Sequence, residues 1–157
     1  MAIAPNTTFV SGAIYTAAQA NAYGFGIVAQ ESSTTTTAGP TSTEAITITA
    51  STFTAIANRY YRITYIEPAC QPATGVSNVI NLRIRLTNTS GTIFGQGQYQ
   101  QDSNNGASQS VCVVGLATLS AGSTVIVGTA IVNGGTGACN RSASAIARII
   151  VEDIGPA

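Results

Sequence analysis

The residues able to do chemistry are few, and their spacing limits what they can do. The chain carries six arginines, six carboxylates, three cysteines and six tyrosines, with no histidine, lysine or tryptophan. Without histidine or lysine, general-base catalysis near neutral pH falls to a carboxylate or a cysteine. The carboxylates are scattered, and only Glu152 and Asp153 are adjacent. Successive strand residues face opposite ways, so these two do not converge as an acid/base pair. They read as a solvated terminus. Arg83 and Arg85 share one face of an alternating stretch. They have the chemistry to hold a carboxylate or phosphate, although a solvated or interface-facing pair is the simpler reading. Arg148 and Glu152, four residues apart, read as a strand pair on one face.

Cys70, Cys112 and Cys139 show no Cys-x-x-Cys spacing, and histidine is absent, so no zinc site is expected. Cys112 lies within Val-Cys-Val-Val and reads as a small buried hydrophobe. Cys70 and Cys139 flank strand-like segments. If the strand ending near Glu67 pairs antiparallel with one starting near Arg141, these loops meet. A Cys70–Cys139 disulfide is then expected after exposure to an oxidising medium. Gly134-Gly135-Thr136-Gly137 has the composition of a phosphate loop but lacks the Lys-Ser/Thr and the following helix. No catalytic residue, cofactor site or metal site is expected. Tyr60, Tyr65 and Tyr99 read as side chains facing a sugar or a partner subunit. The tryptophan or carboxylate constellation of a carbohydrate platform is missing.

These residues must be positioned by strands. In the stretch Asn78 to Gln100, Ile80, Leu82, Ile84 and Leu86 alternate with Asn81, Arg83, Arg85 and Thr87. Period two makes one face apolar and the other wet. Asn88 to Gly91 is a turn, and Ile93 onward returns as a second strand. A half-wet hairpin needs a second sheet over its apolar face. Ala45 to Thr49, Phe53 to Ala57 and Tyr60 to Ile66 supply strands, the last ended by Pro68. Val111 to Ala117 is nearly all apolar and reads as buried on both faces. Val125 to Val132 and the end of Arg141 to Ile154 complete the set. Gly-rich turns at this spacing predict an all-β fold, an antiparallel β-sandwich of jelly-roll type.

At 157 residues the chain is one domain with a short appendage. Charged residues make up 8% and balance to zero. That argues against a nucleic-acid partner, which needs a basic stripe. No run reaches the roughly 18 apolar residues of a membrane span. No basic start leads into an apolar run, so no signal peptide is read. A surface of Thr, Ser, Asn, Gln and Gly suits a protein crowded inside an assembly. Residues 1–43 are expected to be an anchoring arm ending in a Ser/Thr linker, and residues 44–157 the sandwich. Within the arm, Thr16 and Gln19 form a capping-box pattern around Ala17, Ala18 and Ala20. A short helix over about residues 16–22 is predicted, too small to be stable unless docked.

Two stretches resemble a known group. The start, Thr7-Thr8-Phe9, Gly12, Ile14, Thr16-Ala17-Ala18-Gln19 and Asn21, resembles the leader of small virion proteins of tailed bacteriophages. The ending Ile150-Val151-Glu152-Asp153-Ile154-Gly155-Pro156 is similar to that group's terminal signature. Arg59-Tyr60-Tyr61-Arg62 and Gly135-Thr136-Gly137 resemble its internal motifs. The resemblance implies a non-enzymatic minor tail or fibre protein, assembled into the virion in the host bacterial cytoplasm. Thr8, Phe9, Gly12, Ile14, Thr16, Ala17, Ala18, Gln19 and Asn21 would be its assembly anchor. Its partners would be a tail or major capsid protein and sister copies, with a homotrimer as the expected form. Capsid decoration at a symmetry axis is an alternative within that class. A lectin-like module binding host glycans through Gln101 to Gln109 and Asn133 to Asn140 is the alternative from another class.

Overall fold

The strand from Arg59 to Gln71 spans 13 residues and is the axis of the molecule. The structure is a computed structural model that describes residues 26–38, 40–72, 78–101 and 107–157. In chain order the strands are β1 (Gly26–Ser33), β2 (Thr37–Ala38), β3 (Ala45–Thr49), β4 (Phe53–Ala55), β5 (Arg59–Gln71) and β6 (Val79–Leu86). They continue with β7 (Ile93–Gln100), β8 (Gln109–Thr118), β9 (Gly122–Thr124), β10 (Ile126–Val132), β11 (Ala138–Cys139) and β12 (Ala147–Pro156). Among the described residues every regular element is a strand, and the pairings are antiparallel.

The first sheet runs β1-β12-β5-β8, with β11 and β2 continuing beside the far end of β5. The second runs β3-β10-β6-β7, and β4 pairs with β9 as a small third sheet. Taken in chain order, the main strands cross back and forth between the two large sheets, except for the β6–β7 hairpin within the second, in the manner of a jelly roll. The core lies between them. Tyr61, Ile63 and Tyr65 of β5 and Ala147, Ile149 and Val151 of β12 face Ile80, Leu82 and Ile84 of β6 and Ile126 of β10. Complete burial of each branched aliphatic contributes roughly 1.5–3 kcal/mol. This period-two burial on β6 is the one its sequence predicts.

The edge strands of the two sheets meet where β7 crosses β8. A Cβ at Gly115 would lie 2.8 Å from Phe94 O, and one at Gly95 2.9 Å from Val114 O. Glycine lets these backbones touch and closes that side of the sandwich.

Several expectations change. Within the expected arm, Phe25 to Gln30 reads as a short strand and the linker begins at Ser32; the described residues carry β1 on to Ser33 and add β2 (Thr37–Ala38), both in the first sheet. Their Thr and Ser residues suit an edge strand, and β12 supplies the partner. Pro68 does not end β5. The β5–β8 register shifts between Glu67 and Cys70, and β12 pairing stops at Ile66, so Pro68 sits where no neighbour takes an N–H from it. The strand read as buried on both faces, β8, buries only one: Val111, Val113 and Ala117 point inward, while Cys112, Val114 and Leu116 are exposed. Cys112 is therefore not a core residue. The predicted helix over residues 16–22 lies outside the described residues.

Candidate functional site

Most of the charge in this chain is spent on its own scaffold. Glu44, just before β3, receives both arginines of β6. Arg83 Nη1 donates to Oε2 at 2.6 Å, while Arg85 donates from Nε to Oε1 at 2.6 Å and from Nη2 to Oε2 at 2.7 Å. Thr129 Oγ1 also donates to this carboxylate. Burial alone would raise the Glu44 pKa. The hydrogen bonds from Arg85, Thr129 and Arg83 outweigh it and hold the carboxyl below its ordinary value. Arg83 and Arg85 are thus a clamp on an internal carboxylate rather than an open anion site.

Two further pairs are buried. Arg59 Nε lies 2.5 Å from Asp153 Oδ2, and Asp153 Oδ1 accepts the Gly155 N–H at 3.0 Å. Asp153 is therefore no solvated terminus. Glu67 is bound by Arg141 through Nε and Nη2, and Arg141 Nη1 donates to Thr47 O at 3.0 Å. Tyr65 OH donates to Glu67 Oε1 at 3.0 Å and lies 2.5 Å from Thr47 Oγ1. Burial, then the negative charge of Glu67, pushes the Tyr65 phenol well above its ordinary pKa. Tyr65 ties the two sheets together and is not a binding platform. Arg62 forms a two-point pair with Glu152, at 2.9 and 3.1 Å, across the outer face of the first sheet. The expected Arg148–Glu152 pair is replaced because Arg62 stands directly opposite Glu152.

Cys70 and Cys139 are register partners on β5 and β11 and both are fully buried. Asn140 N–H donates to Ala69 O at 2.8 Å on the next pair. That makes 70/139 the non-hydrogen-bonded position, where antiparallel side chains come closest. Both are thiols in this structure. The adjoining Cys139 thiol and then burial push the Cys70 thiol far above its ordinary pKa.

The outer face of the β12-β5-β8 part of the first sheet exposes large apolar side chains. Val114 is 60% and Leu116 57% exposed. Val114 stands opposite Thr64, which stands opposite Ile150; Cys112 stands opposite Ile66. The Arg62–Glu152 pair in this face is neutral overall. Sequence reading missed the patch because it counted β8 as uniformly apolar. The signal was present in the alternation of Val111, Val113, Gly115 and Ala117 with Cys112, Val114 and Leu116.

Tyr60 and Tyr99 are half-buried, and Tyr99 OH reaches Ala107 O at 3.5 Å. The anchor residues Thr8, Phe9, Gly12, Ile14, Thr16, Ala17, Ala18, Gln19 and Asn21 lie outside the described residues. Among the described residues there is no cluster of three or more metal-ligating side chains, and no helix is long and apolar enough to cross a membrane.

No protein-family model matches the chain, and no curated protein matches it. Among solved structures it is similar to the Eiger TNF of S. frugiperda at 9% identity, covering 86% of this chain and 95% of that one, with a TM-score of 0.49. It is also similar to a protein of the disulfide-linked pili of Bacillus endospore appendages, at 14% identity, covering 94% and 98%, with a TM-score of 0.36. A carbohydrate-binding module of a Cellvibrio mixtus lichenase matches at 16% identity over 64% and 63% of the two chains, with a TM-score of 0.32. Likenesses this distant assign no function.

Proposed function

We propose that this chain is a non-enzymatic structural protein of a tailed-bacteriophage virion, a minor tail or fibre component whose sandwich packs against sister copies. The observation that carries the assembly role is the outward pair Val114 and Leu116 on β8, in a face whose Arg62 and Glu152 neutralise each other. Arg148, opposite Ile66, lies toward one end of this face, and branched aliphatics this exposed gain by being covered. A homotrimer is the proposed form. The leader resemblance supports placing residues 1–25 as the docking segment on the particle and favours the tail over capsid decoration. A non-enzymatic role agrees with Glu44, Glu67, Glu152 and Asp153 each being held by arginine.

The test is particle incorporation. Labelled full-length protein is expected on the tail of intact particles, at a few to tens of copies. A chain lacking residues 1–25 keeps all of β1 and is expected to fold yet fail to join particles. Hundreds of copies over the head would shift the assignment to capsid decoration. Incorporation of the truncated chain would remove the anchor.

A further inference from the structure

Arg59, Arg62, Arg83, Arg85 and Arg141 are each bound to a carboxylate. Arg148 has no such partner among the described residues, and it is exposed. It lines a cleft of about 390 Å³ where β1, the edge strand of the first sheet, lies along β12; Gln30, Glu31, Ser32 and Ile150 form the other walls. Ser32 stands opposite Arg148 and Gln30 opposite Ile150. Gln30 O accepts the Ser51 N–H at 3.4 Å and Gln30 N–H donates to Ser51 Oγ at 3.3 Å, both away from β12. The two cross-strand pairs are therefore non-hydrogen-bonded positions, where opposed side chains stand closest and on one side of the sheet. Arg148, Ser32, Gln30 and Ile150 share that outer side. Glu31 stands opposite buried Ile149, on the other face of β1. Its carboxylate takes the Ser32 N–H at 2.9 Å, which turns it to the free edge of the strand.

We infer that this cleft is a binding site for an acidic sugar, a uronate or sialyl residue whose carboxylate pairs with Arg148. The guanidinium presents parallel N–H donors that match a carboxylate. One uncommitted cation balances one monoanion, whereas a phosphate dianion would keep excess negative charge with Glu31 nearby. The Gln30 amide and the Ser32 hydroxyl both donate and accept, which fits the ring hydroxyls beside such a carboxylate. Ile150 offers an aliphatic wall to the C–H face of the ring. The volume falls at the lower end of the roughly 300–1,000 Å³ range of small-ligand sites. In the order β1-β12-β5-β8 the cleft stands at the opposite edge from Val114 and Leu116, roughly 14 Å from β8 to β1 at ordinary strand spacing. The site goes beyond the assembly role, which stands without it, and it differs from the loops around Gln101 and Asn133.

The experiment presents full-length protein at low salt to an array of neutral, uronate-bearing and sialylated oligosaccharides, followed by saturation-transfer NMR on the hits. Binding to acidic members is expected, with a dissociation constant on the order of a millimolar, weakening as added salt screens the exposed guanidinium. Arg148→Ala should weaken it at least tenfold with unchanged melting temperature. Glu31→Gln, which removes the negative charge at the strand edge, should keep or tighten it, and Tyr99→Ala should leave it intact. Acetate should compete at least tenfold less well than glucuronate, because it lacks the ring that Gln30, Ser32 and Ile150 would meet. No binding to any acidic sugar, equal binding of neutral and acidic sugars, binding kept in Arg148→Ala, or equal competition by acetate would each overturn the site. Particle incorporation of Arg148→Ala, expected to be normal, separates this site from the assembly role.

Discussion

Cys70 and Cys139 stand directly opposite each other across β5 and β11, at the position of an antiparallel pair where side chains approach most closely. Oxidation there would link segments 69 residues apart in sequence and stabilise the fold by roughly 2–4 kcal/mol. After exposure to an oxidising medium, which takes up the two electrons, intact mass spectrometry is expected to show the loss of two hydrogen atoms, reversed by reductant. Because burial and the neighbouring thiol suppress the Cys70 thiolate, alkylation of the reduced native protein should be confined to exposed Cys112. Rapid alkylation of all three cysteines without denaturant would contradict this placement.

Glu67→Gln leaves Arg141 buried without its counter-charge. Removing one member of a buried pair costs about 3–5 kcal/mol, and urea denaturation should show that loss. Replacing both members with Met should cost much less, since no charge is then stranded. Equal losses in the single and double variants would deny that the pair acts as a unit.

The Glu44 clamp makes stability depend on pH. Folding lowers this carboxyl below its ordinary value near 4.5, so the unfolded chain takes up the proton more readily. The contribution is complete above about pH 4.5 and is lost as pH falls through the lower folded value. Urea midpoints measured from about pH 7 down to pH 3 should fall in the wild type. Glu44→Gln should start lower and fall less steeply. Glu152 is shifted the same way by Arg62, but that pair is open to solvent and should add little.

Gly115→Ala places a methyl group against the Phe94 carbonyl. Backbone cannot yield as a flexible side chain does, so a loss of about 1–3 kcal/mol is expected, read as a lower melting temperature. A neutral outcome would show that β7 and β8 are not in backbone contact.

Val114→Arg combined with Leu116→Arg should leave the fold intact, because both side chains already face water. Sedimentation velocity should change from a trimer to a monomer. A wild type that is already monomeric at high concentration would remove the sister-copy role of β8.

Inward-facing Ile80, Leu82, Ile84, Tyr61 and Ile63 could be read from period two, because strand alternation follows directly from backbone geometry. The meeting of Cys70 with Cys139 followed from assuming a single strand pairing. Glu44 as the shared partner of Arg83 and Arg85 could not be read. Its closeness to β6 depends on β10 lying between β3 and β6, a crossover with no local signal. The β1–β12 cleft was hidden for the same reason. Ser32 and Arg148 are separated by most of the chain, and only the end of β1, from Ser32, resembled a linker. Asp153 seemed solvated because nothing local indicates that Arg59 covers it.

Strands β1 and β12 run antiparallel, with Gly26 beside Asp153, and Ala157 N–H is bonded to Asn58 O at 2.9 Å. The polypeptide therefore enters and leaves the sandwich through the same pole. Under the proposed docking role, a cargo fused after Ala157 would crowd the docking segment. A foreign epitope is better grafted into the exposed Ser142–Ser144 turn, which lies beyond the start of β12 at the other pole.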